Sequence, residues 1–271
     1  MEAVAKKEST AVANIMDDLF EAAGQGREAI GAEDMQIPFL RILQPLSPQL
    51  LKTDPKFIKG ASAGDLFNTV TGEFWEADTG VKILVCAFQT KFLEFGLRES
   101  GGGFMGEIDP NSPDIRQTTR NGPFEMLPSG NELVRSAQYL VLAYNEDGMT
   151  SQLVCDMKKT QMKVSKQWNT RRAGLKVMHP KGLMNPPTWA TPWTLTTVQE
   201  SNDKGSWFNF AVTQGDMSHI TDNDLSLLPM SVLEEAKQMY NDFKAGEIKT
   251  SAATSDEMRS ANPSDTDDVP F

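Results

Sequence analysis

Histidine and cysteine are scarce, with two of each among 271 residues. His179 and His219 are not spaced as metal ligands relative to cysteine or carboxylate residues, so we expect no metal site. Cys86 and Cys155 each lie in an apolar stretch. This placement indicates buried thiols in a reducing compartment and argues against a disulfide framework.

Several other signatures are missing. No glycine-rich loop precedes a Lys-Ser or Lys-Thr pair, which excludes a nucleotide-binding P-loop. Asp109, Asp114 and Asp156 are candidate ligands for a divalent ion in nuclease chemistry, but scattered carboxylates mostly lie on the surface. We therefore expect no enzyme activity and no cofactor. No apolar run approaches the length of a membrane span and no signal peptide is recognisable, so we expect a cytoplasmic protein.

One segment of the chain has no acidic residues, and another has no basic residues. The formal net charge of −11 by itself argues against a nucleic-acid partner, because a polyanion repels an acidic surface. Residues 157–181, here called the basic segment, nevertheless contain no Asp or Glu, and residues 263–271 contain three Asp and no Lys or Arg. The basic segment carries eight cationic residues: Lys158, Lys159, Lys163, Lys166, Arg171, Arg172, Lys176 and Lys181. It is therefore a candidate site for a polyanion.

The distribution of apolar residues, glycine and proline divides the chain into three parts. Residues 1–36 are predicted to form a mobile arm with one amphipathic helix that ends at Gly24 and Gly26. The apolar residues of that helix recur at helical spacing: Val12, Ile15, Met16, Leu19 and Phe20. Residues 37–245 are predicted to form the folded domain, with a large excursion from the sheet at residues 96–136. Residues 246–271 are polar and rich in Ser, Thr and Asp, which predicts a disordered acidic tail.

Five β-prone segments and two helices are predicted within the folded domain. The strands are residues 81–95, 139–144, 152–157, 193–199 and 207–213, and the helices are residues 160–175 and 232–243. Three strands, a helix and two strands is the element order of the five-stranded OB (oligonucleotide/oligosaccharide-binding) barrel. We therefore predict a mainly β, α+β fold: an OB-type barrel with peripheral helices.

The predicted helix at residues 160–175 separates apolar from basic side chains. Spacings of three, four or seven form one largely apolar stripe: Met157, Gln161, Val164, Trp168 and Leu175. Lys159, Lys163 and Lys166 lie on another side. Cations about 5–6 Å apart can follow a phosphate backbone, and release of condensed counterions favours such binding. The alternative is a solvated helix face, although such faces usually mix both signs of charge.

Proteins that bind single strands also need flat aromatic rings on which bases stack, each worth about 1–3 kcal/mol. The candidates are Trp189, Trp193, Trp207, Phe92, Phe95 and Tyr139, with Trp168 from the basic segment. Phe208, Phe210 and Val212 alternate on one strand face and are predicted to face the core, so Trp207 is the best candidate for an exposed ring. For every one of these aromatics the alternative is packing in the core.

The C-terminal motif is the most specific signal. It comprises Asp265, Asp267, Asp268, Val269, Pro270 and Phe271. The aromatic ring can enter a small apolar pocket, the carboxylates can meet a basic rim, and proline lowers the ordering cost of docking. The motif resembles the acidic tip of bacterial single-stranded DNA-binding proteins, and phage single-strand binders have comparable tails. Unlike the bacterial form, this tail lacks a long Gly/Gln-rich linker, and Val269 replaces the commoner isoleucine.

The resemblance implies a fold and a function. Residues 267–271 would dock replication and recombination proteins such as a polymerase, helicase or nuclease. The body of the protein would be an OB barrel that coats exposed single strands stoichiometrically. Residues 64–73 and the Gly101-Gly102-Gly103-Phe104 segment resemble a group of phage-encoded proteins, which favours a phage origin and the cytoplasm of the bacterial host.

The sequence therefore predicts sequence-independent binding and protection of single-stranded DNA, with partners recruited through the acidic tip. Two alternatives stay open. One is a recombination mediator that anneals complementary strands through the same surface. The other is an adaptor that does not bind DNA and uses the Phe-terminated tail to engage a host replication enzyme. The sequence does not decide whether the protein forms a homo-oligomer.

Overall fold

A computed structural model describes residues 36–97, 102–203, 205–248 and 250, together with residues 15, 18, 20–23, 25, 26 and 28. The chain divides into two compact units, residues 1–36 and 37–271. In the first unit, Ile15, Asp18, Phe20 and Glu21 are helical, as the amphipathic pattern predicts. The other residues of the predicted helix stripe, and residues 251–271 with the whole acidic tip, lie outside the described residues.

The second unit is built mainly from strands. Its strands are β1 (Phe39–Ile42), β2 (Leu66–Asn68), β3 (Phe74–Trp75), β4 (Val81–Gly96), β5 (Gly103–Ile108), β6 (Thr119–Asn121), β7 (Phe124–Met126), β8 (Glu132–Tyr144), β9 (Thr150–Lys158), β10 (Val177–His179), β11 (Gly182–Met184), β12 (Pro192–Asn202) and β13 (Gly205–Gln214). The helices are α1 (Gln161–Gly174), α2 (Ser218–Thr221) and α3 (Met230–Ala245). Short 3-10 turns cover Pro48–Leu50, Pro113–Arg116 and Thr188–Ala190. Every strand and helix predicted in the folded domain is confirmed.

Eleven strands form one curled, half-barrel sheet in the order β13-β12-β4-β8-β9-β1-β2-β3, with β5 beside β4, and β7 and β6 beyond β8. All the pairs are antiparallel except β1 with β9. β10 and β11 form a separate hairpin. The mainly β class is confirmed, whereas the five-stranded barrel is not, because the sheet has eleven strands.

The sheet is buried on both faces, because a helix packs on each. Trp168 of α1 packs with Ile83, Val85, Tyr139 and other residues of one face, here called the α1 face. On the opposite α3 face, Val232, Ala236 and Met239 of α3 pack against a second apolar cluster that includes Leu84, Leu140 and Leu142. Burial on both faces explains why residues 83–88 form a continuous apolar run rather than an alternating one.

A β-bulge changes which residues of β4 reach each face. Val85 pairs with Val141, and Ala87 pairs with Leu140, so Cys86 is an extra residue in β4. Before the bulge, odd-numbered residues such as Val85 belong to the α1 face. After it, Phe88 pairs with Tyr139 and shares the α1 face instead. The bulge therefore exchanges the two faces along the second half of β4.

Strands within residues 96–136 join the main sheet. β4 continues to Gly96 and pairs with β5, while β7 pairs with both β6 and β8. β8 itself already begins at Glu132. The Gly- and Pro-rich composition led to the prediction of an irregular excursion, whereas long-range pairing extends the sheet here.

Candidate nucleic-acid interface

Helix α1 and the segment after it form the centre of the predicted interface. Lys163, Lys166 and Arg171 on α1 are exposed, as are Lys176 and Lys181 beyond it. Among the residues that the structure describes, none of these five cations makes an ion pair with a carboxylate. Arg171 donates a hydrogen bond to the Val212 carbonyl at 2.8 Å, which ties the end of α1 to β13. Five cations are therefore available to an external anion.

The other three predicted cations have partners within the protein. Lys158 lies 2.9 Å from the buried carboxylate of Asp156, and Lys159 lies 3.6 Å from Glu132. Arg172 donates to Asn169 Oδ1 at 2.9 Å and lies 5.5 Å from the ring centroid of Tyr139. Burial lowers the pKa of the Arg172 guanidinium. These three residues stabilise the junction between sheet and helix.

Three of the predicted stacking residues are core residues: Trp168, Trp193 and Tyr139. Trp168 and Trp193 are 0% and 1% exposed, and their rings meet edge-on with centroids 5.9 Å apart. Each indole N–H is buried with no hydrogen-bond partner among the described residues. The prediction that these two tryptophans stack on bases is therefore wrong. Both rings pack in the core, because neither presents a face to solvent.

The remaining candidate aromatics occupy different places. Trp189 is half-buried against the α3-face cluster, near Lys237. Trp207 is half-buried and donates from Nε1 to Glu200 at 3.1 Å, while Asn209 beside it is buried and also donates to Glu200. Phe208, Phe210 and Val212 face the α1-side core, as predicted. Phe92 and Phe95 are half-buried beside Arg135 and Phe104, respectively, and Tyr139 is fully buried.

A row of aromatic rings leads from the core to an exposed ring that the sequence reading missed. Trp193, Trp168, Tyr139 and Phe88 follow one another with centroid separations of 5.9, 4.4 and 4.9 Å. The Tyr139 hydroxyl is bonded to Ser165 Oγ at 2.7 Å, and burial raises the pKa of Tyr139 to about 12. Phe88, at the outer end, is 39% exposed. The interior rings hold Phe88 in place at the α1 face.

Comparison with known proteins gives one result. The model of the Pam3 phage gp34-like protein family matches residues 6–249. The chain belongs to the Pam3 phage gp34-like family. The matched region contains the whole sheet, α1 and the basic segment, and it stops before the acidic tip. No curated protein and no solved structure matches the chain.

Membership of this phage family confirms the phage character suggested by residues 64–73 and 101–104. It supports neither a single-strand-binding activity nor a role for the tip. Within the described residues of this family member, no helix is long and apolar enough to cross a membrane.

The His and Cys residues of this gp34-like protein all lie in the part of the chain that the structure describes. There is no cluster of three or more His, Cys, Asp or Glu residues that could hold a metal ion in that part of the chain. Burial raises the pKa of the Cys86 thiol to about 12 and also raises that of Cys155, so both thiols are poor nucleophiles. His219 is held by the Ala190 carbonyl at 2.8 Å, and burial lowers its pKa.

Asp156, one of the scattered carboxylates considered for a divalent ion, is 2% exposed and ion-paired with Arg41 and Lys158. Burial by itself would raise the pKa of this carboxyl, but the two cations outweigh burial and hold it below its usual value. Asp156 is therefore a structural anion between two cations.

Proposed function

We propose that this phage protein binds single-stranded DNA without sequence preference and protects it during phage DNA replication and recombination in the host cytoplasm. One observation carries the proposal: the basic segment has five exposed cations without carboxylate partners in the described structure. Three of them lie on α1, which covers the same sheet face as exposed Phe88, and two lie in the segment after it. Cations neutralise phosphates and release counterions, while an exposed ring offers a stacking surface to any base.

The strand pairing supports an OB-type core as part of this proposal. β4 pairs with both β8 and β12, β8 pairs with β9, and β12 pairs with β13. Helix α1 lies between β9 and β12 in the chain. In an OB barrel the first strand likewise pairs with the second and the fourth, and the helix follows the third. In this protein β1 runs parallel to β9, at the position where the third strand of an OB barrel would meet the fifth.

The acidic tip supports a recruiting role. Residues 265–271 combine three aspartates with Val269, Pro270 and Phe271. An apolar pocket with a basic rim on a replication or recombination protein fits this chemistry. We propose no cofactor and no catalytic step, because both assigned roles are binding functions.

The test is fluorescence anisotropy of labelled oligo-dT over a salt series, with duplex DNA as competitor. We expect preference for the single strand and affinity that falls steeply with salt. Lys163→Glu with Lys166→Glu should weaken binding at least tenfold and flatten the salt dependence by about 0.7 per lost phosphate contact. Lys52→Glu with Lys56→Glu is the matched control, because it changes the net charge equally at exposed lysines of another loop.

Phe88 tests the stacking part separately. Phe88→Ala should lower affinity by about 1–3 kcal/mol without changing the salt slope, because a ring carries no charge. Leu46→Ala, at another exposed apolar residue, should leave affinity unchanged. Absence of oligo-dT binding at low salt, with or without residues 263–271, would refute the proposed function.

A further inference from the structure

The hairpin β10–β11 follows α1 after only Leu175 and Lys176 and stands apart from the main sheet. Met178 pairs with Leu183 across its two strands, and Val177 pairs with Met184. His179, Pro180, Lys181 and Gly182 make the turn, and Gly182 has a φ of 125°, which favours glycine. A strand of nucleic acid that follows α1 towards its C-terminal end reaches this hairpin next.

One face of the hairpin is buried and the other is exposed and apolar. Val177 is 8% exposed, whereas Met178 and Leu183 are each 63% exposed. Directly paired residues on one face have their Cβ atoms about 4.5–5.5 Å apart, so these two side chains form a single apolar surface. Single exposed apolar residues are ordinary, but a paired set at a protruding turn indicates a contact surface.

The charges around this apolar pair select the kind of partner. Lys176 and Lys181 flank it, both are exposed, and residues 157–199 contain no Asp or Glu. The short helix α2 lies beside β10, and Asp216, Asp222 and Asp224 near that helix are exposed. None of these aspartates forms an ion pair with either lysine in the described structure. Two free cations beside an apolar surface fit a phosphate backbone and the flat face of a base.

We propose that the β10–β11 hairpin is a wedge that recognises the junction between single-stranded and double-stranded DNA. Met178 and Leu183 cover the terminal base pair of the duplex, and Lys176 and Lys181 contact the phosphates beside it. Apolar side chains placed against a base step partly unstack it and read no hydrogen bonds, so the contact is independent of sequence. The inference rests on the proposed function and adds a preferred substrate, the junction.

The test compares labelled oligo-dT with the same oligo-dT joined to a duplex. We expect the wild-type protein to bind the tailed duplex about tenfold more tightly than the oligo-dT alone. Met178→Ser with Leu183→Ser should abolish this preference and leave oligo-dT affinity unchanged. Leu46→Ser with Met149→Ser is the matched control, since these residues are 68% and 66% exposed, and it should keep the preference.

A second readout reports on the base pair itself. With 2-aminopurine at the terminal base pair, fluorescence should rise on binding of the wild-type protein and stay flat with the serine double variant. Met178→Phe, which keeps the apolar surface, should retain the rise. Two outcomes would overturn the wedge and leave the proposed function standing. In one, the protein binds oligo-dT and the tailed duplex with equal affinity. In the other, Met178→Ser with Leu183→Ser keeps the preference for the tailed duplex. Binding to neither DNA overturns the proposed function with it.

Discussion

The side-chain amide of Gln44 bonds both backbone groups of Phe208, as the backbone of a neighbouring strand would. Its side-chain Nε2 donates to the Phe208 carbonyl at 2.9 Å, and its Oε1 accepts from the Phe208 N–H at 2.9 Å. Gln44 follows β1, whereas Phe208 lies in the edge strand β13. One side chain thus joins two distant strands of the curled sheet. Gly64 adds to this closure, since a Cβ atom there would lie 2.7 Å from the Phe208 ring.

The first prediction concerns this link. Gln44→Met keeps the side-chain volume but leaves the N–H and carbonyl of Phe208 without partners. The free energy of unfolding should fall by about 1–3 kcal/mol, measured by urea denaturation, because two partly buried backbone groups lose their hydrogen-bond partners. Gln152→Met, at an exposed strand residue, is the control and should change stability by less than about 0.5 kcal/mol. Equal effects of the two substitutions would contradict the role of Gln44.

The second prediction concerns Asp156 and pH. Asp156→Asn leaves buried Arg41 without its counter-charge and should lower the free energy of unfolding at pH 7 by about 3–5 kcal/mol. Since the pKa of Asp156 is lowered in the folded protein, its contribution is present above its unfolded pKa of about 4 and is lost as pH falls through the folded value.

Urea denaturation at a series of pH values checks this. The gap between wild type and Asp156→Asn should stay constant near neutral pH and narrow below about pH 4. A gap that does not change with acidification would show that the carboxylate charge is not what stabilises the fold. Asp203→Asn, at an exposed turn, is the control and should have little effect at pH 7.

The third prediction concerns Thr250, which holds the segment after α3 against the α3 face. Its hydroxyl donates to Gln138 Oε1 at 2.7 Å and accepts from Gln89 Nε2, and its carbonyl accepts from Lys91 Nζ at 2.6 Å. Thr250→Val removes only the hydroxyl bonds. Hydrogen exchange at residues 246–248 should become faster by a factor of about ten, because local opening becomes easier by roughly 1–1.5 kcal/mol.

Thr213→Val, at an exposed position of β13, is the control for this experiment and should leave exchange at residues 246–248 unchanged. If Thr250→Val also left that exchange unchanged, the hydroxyl bonds would not be what holds the segment on the sheet.

The fourth prediction concerns the acidic tail and follows from charge segregation. If the proposed function holds, residues 263–271 compete with DNA for the basic segment, because their three aspartates are opposite in charge to it. Deleting these residues should tighten oligo-dT binding at low salt, with a difference that shrinks as screening increases. Unchanged affinity at low salt would argue against competition. Replacing the three aspartates by asparagine should reproduce the deletion.

Local patterns were sufficient for the elements that carry strong periodicity or continuous apolar runs. The helix predicted at residues 160–175 is α1 at Gln161–Gly174. The alternation of Phe208, Phe210 and Val212 correctly predicted that all three side chains face the core. These features depend on neighbours within a few residues, where helix and strand geometry determine which side chains share a face.

Long-range contacts decided which further segments become strands and which side chains are paired or covered. The region at residues 96–136 has turn-rich composition, yet β5 and β7 become strands because β4 and β8 extend far enough to pair with them. Whether Asp156 is a free carboxylate or a partner of Arg41 also depends on the pairing of β9 with β1, and it carries no sequence signal. The sequence makes Trp193 a candidate stacking surface for a base. In the structure, Arg171 and Trp168 cover its ring.

The sequence by itself determined the mainly β class, the order of the five predicted strands and two predicted helices, and the segregation of basic and acidic charge, because each is a property of composition or short-range spacing. Only the tertiary structure decided which rings and cations reach solvent. Cys86 shows the reason: as one extra residue opposite β8, it turns Phe88 from the face of Leu84 to the face of Tyr139. Strict alternation along β4 would place Phe88 on the wrong side, since a bulge is a shift in register between two paired strands and shows only when they are paired.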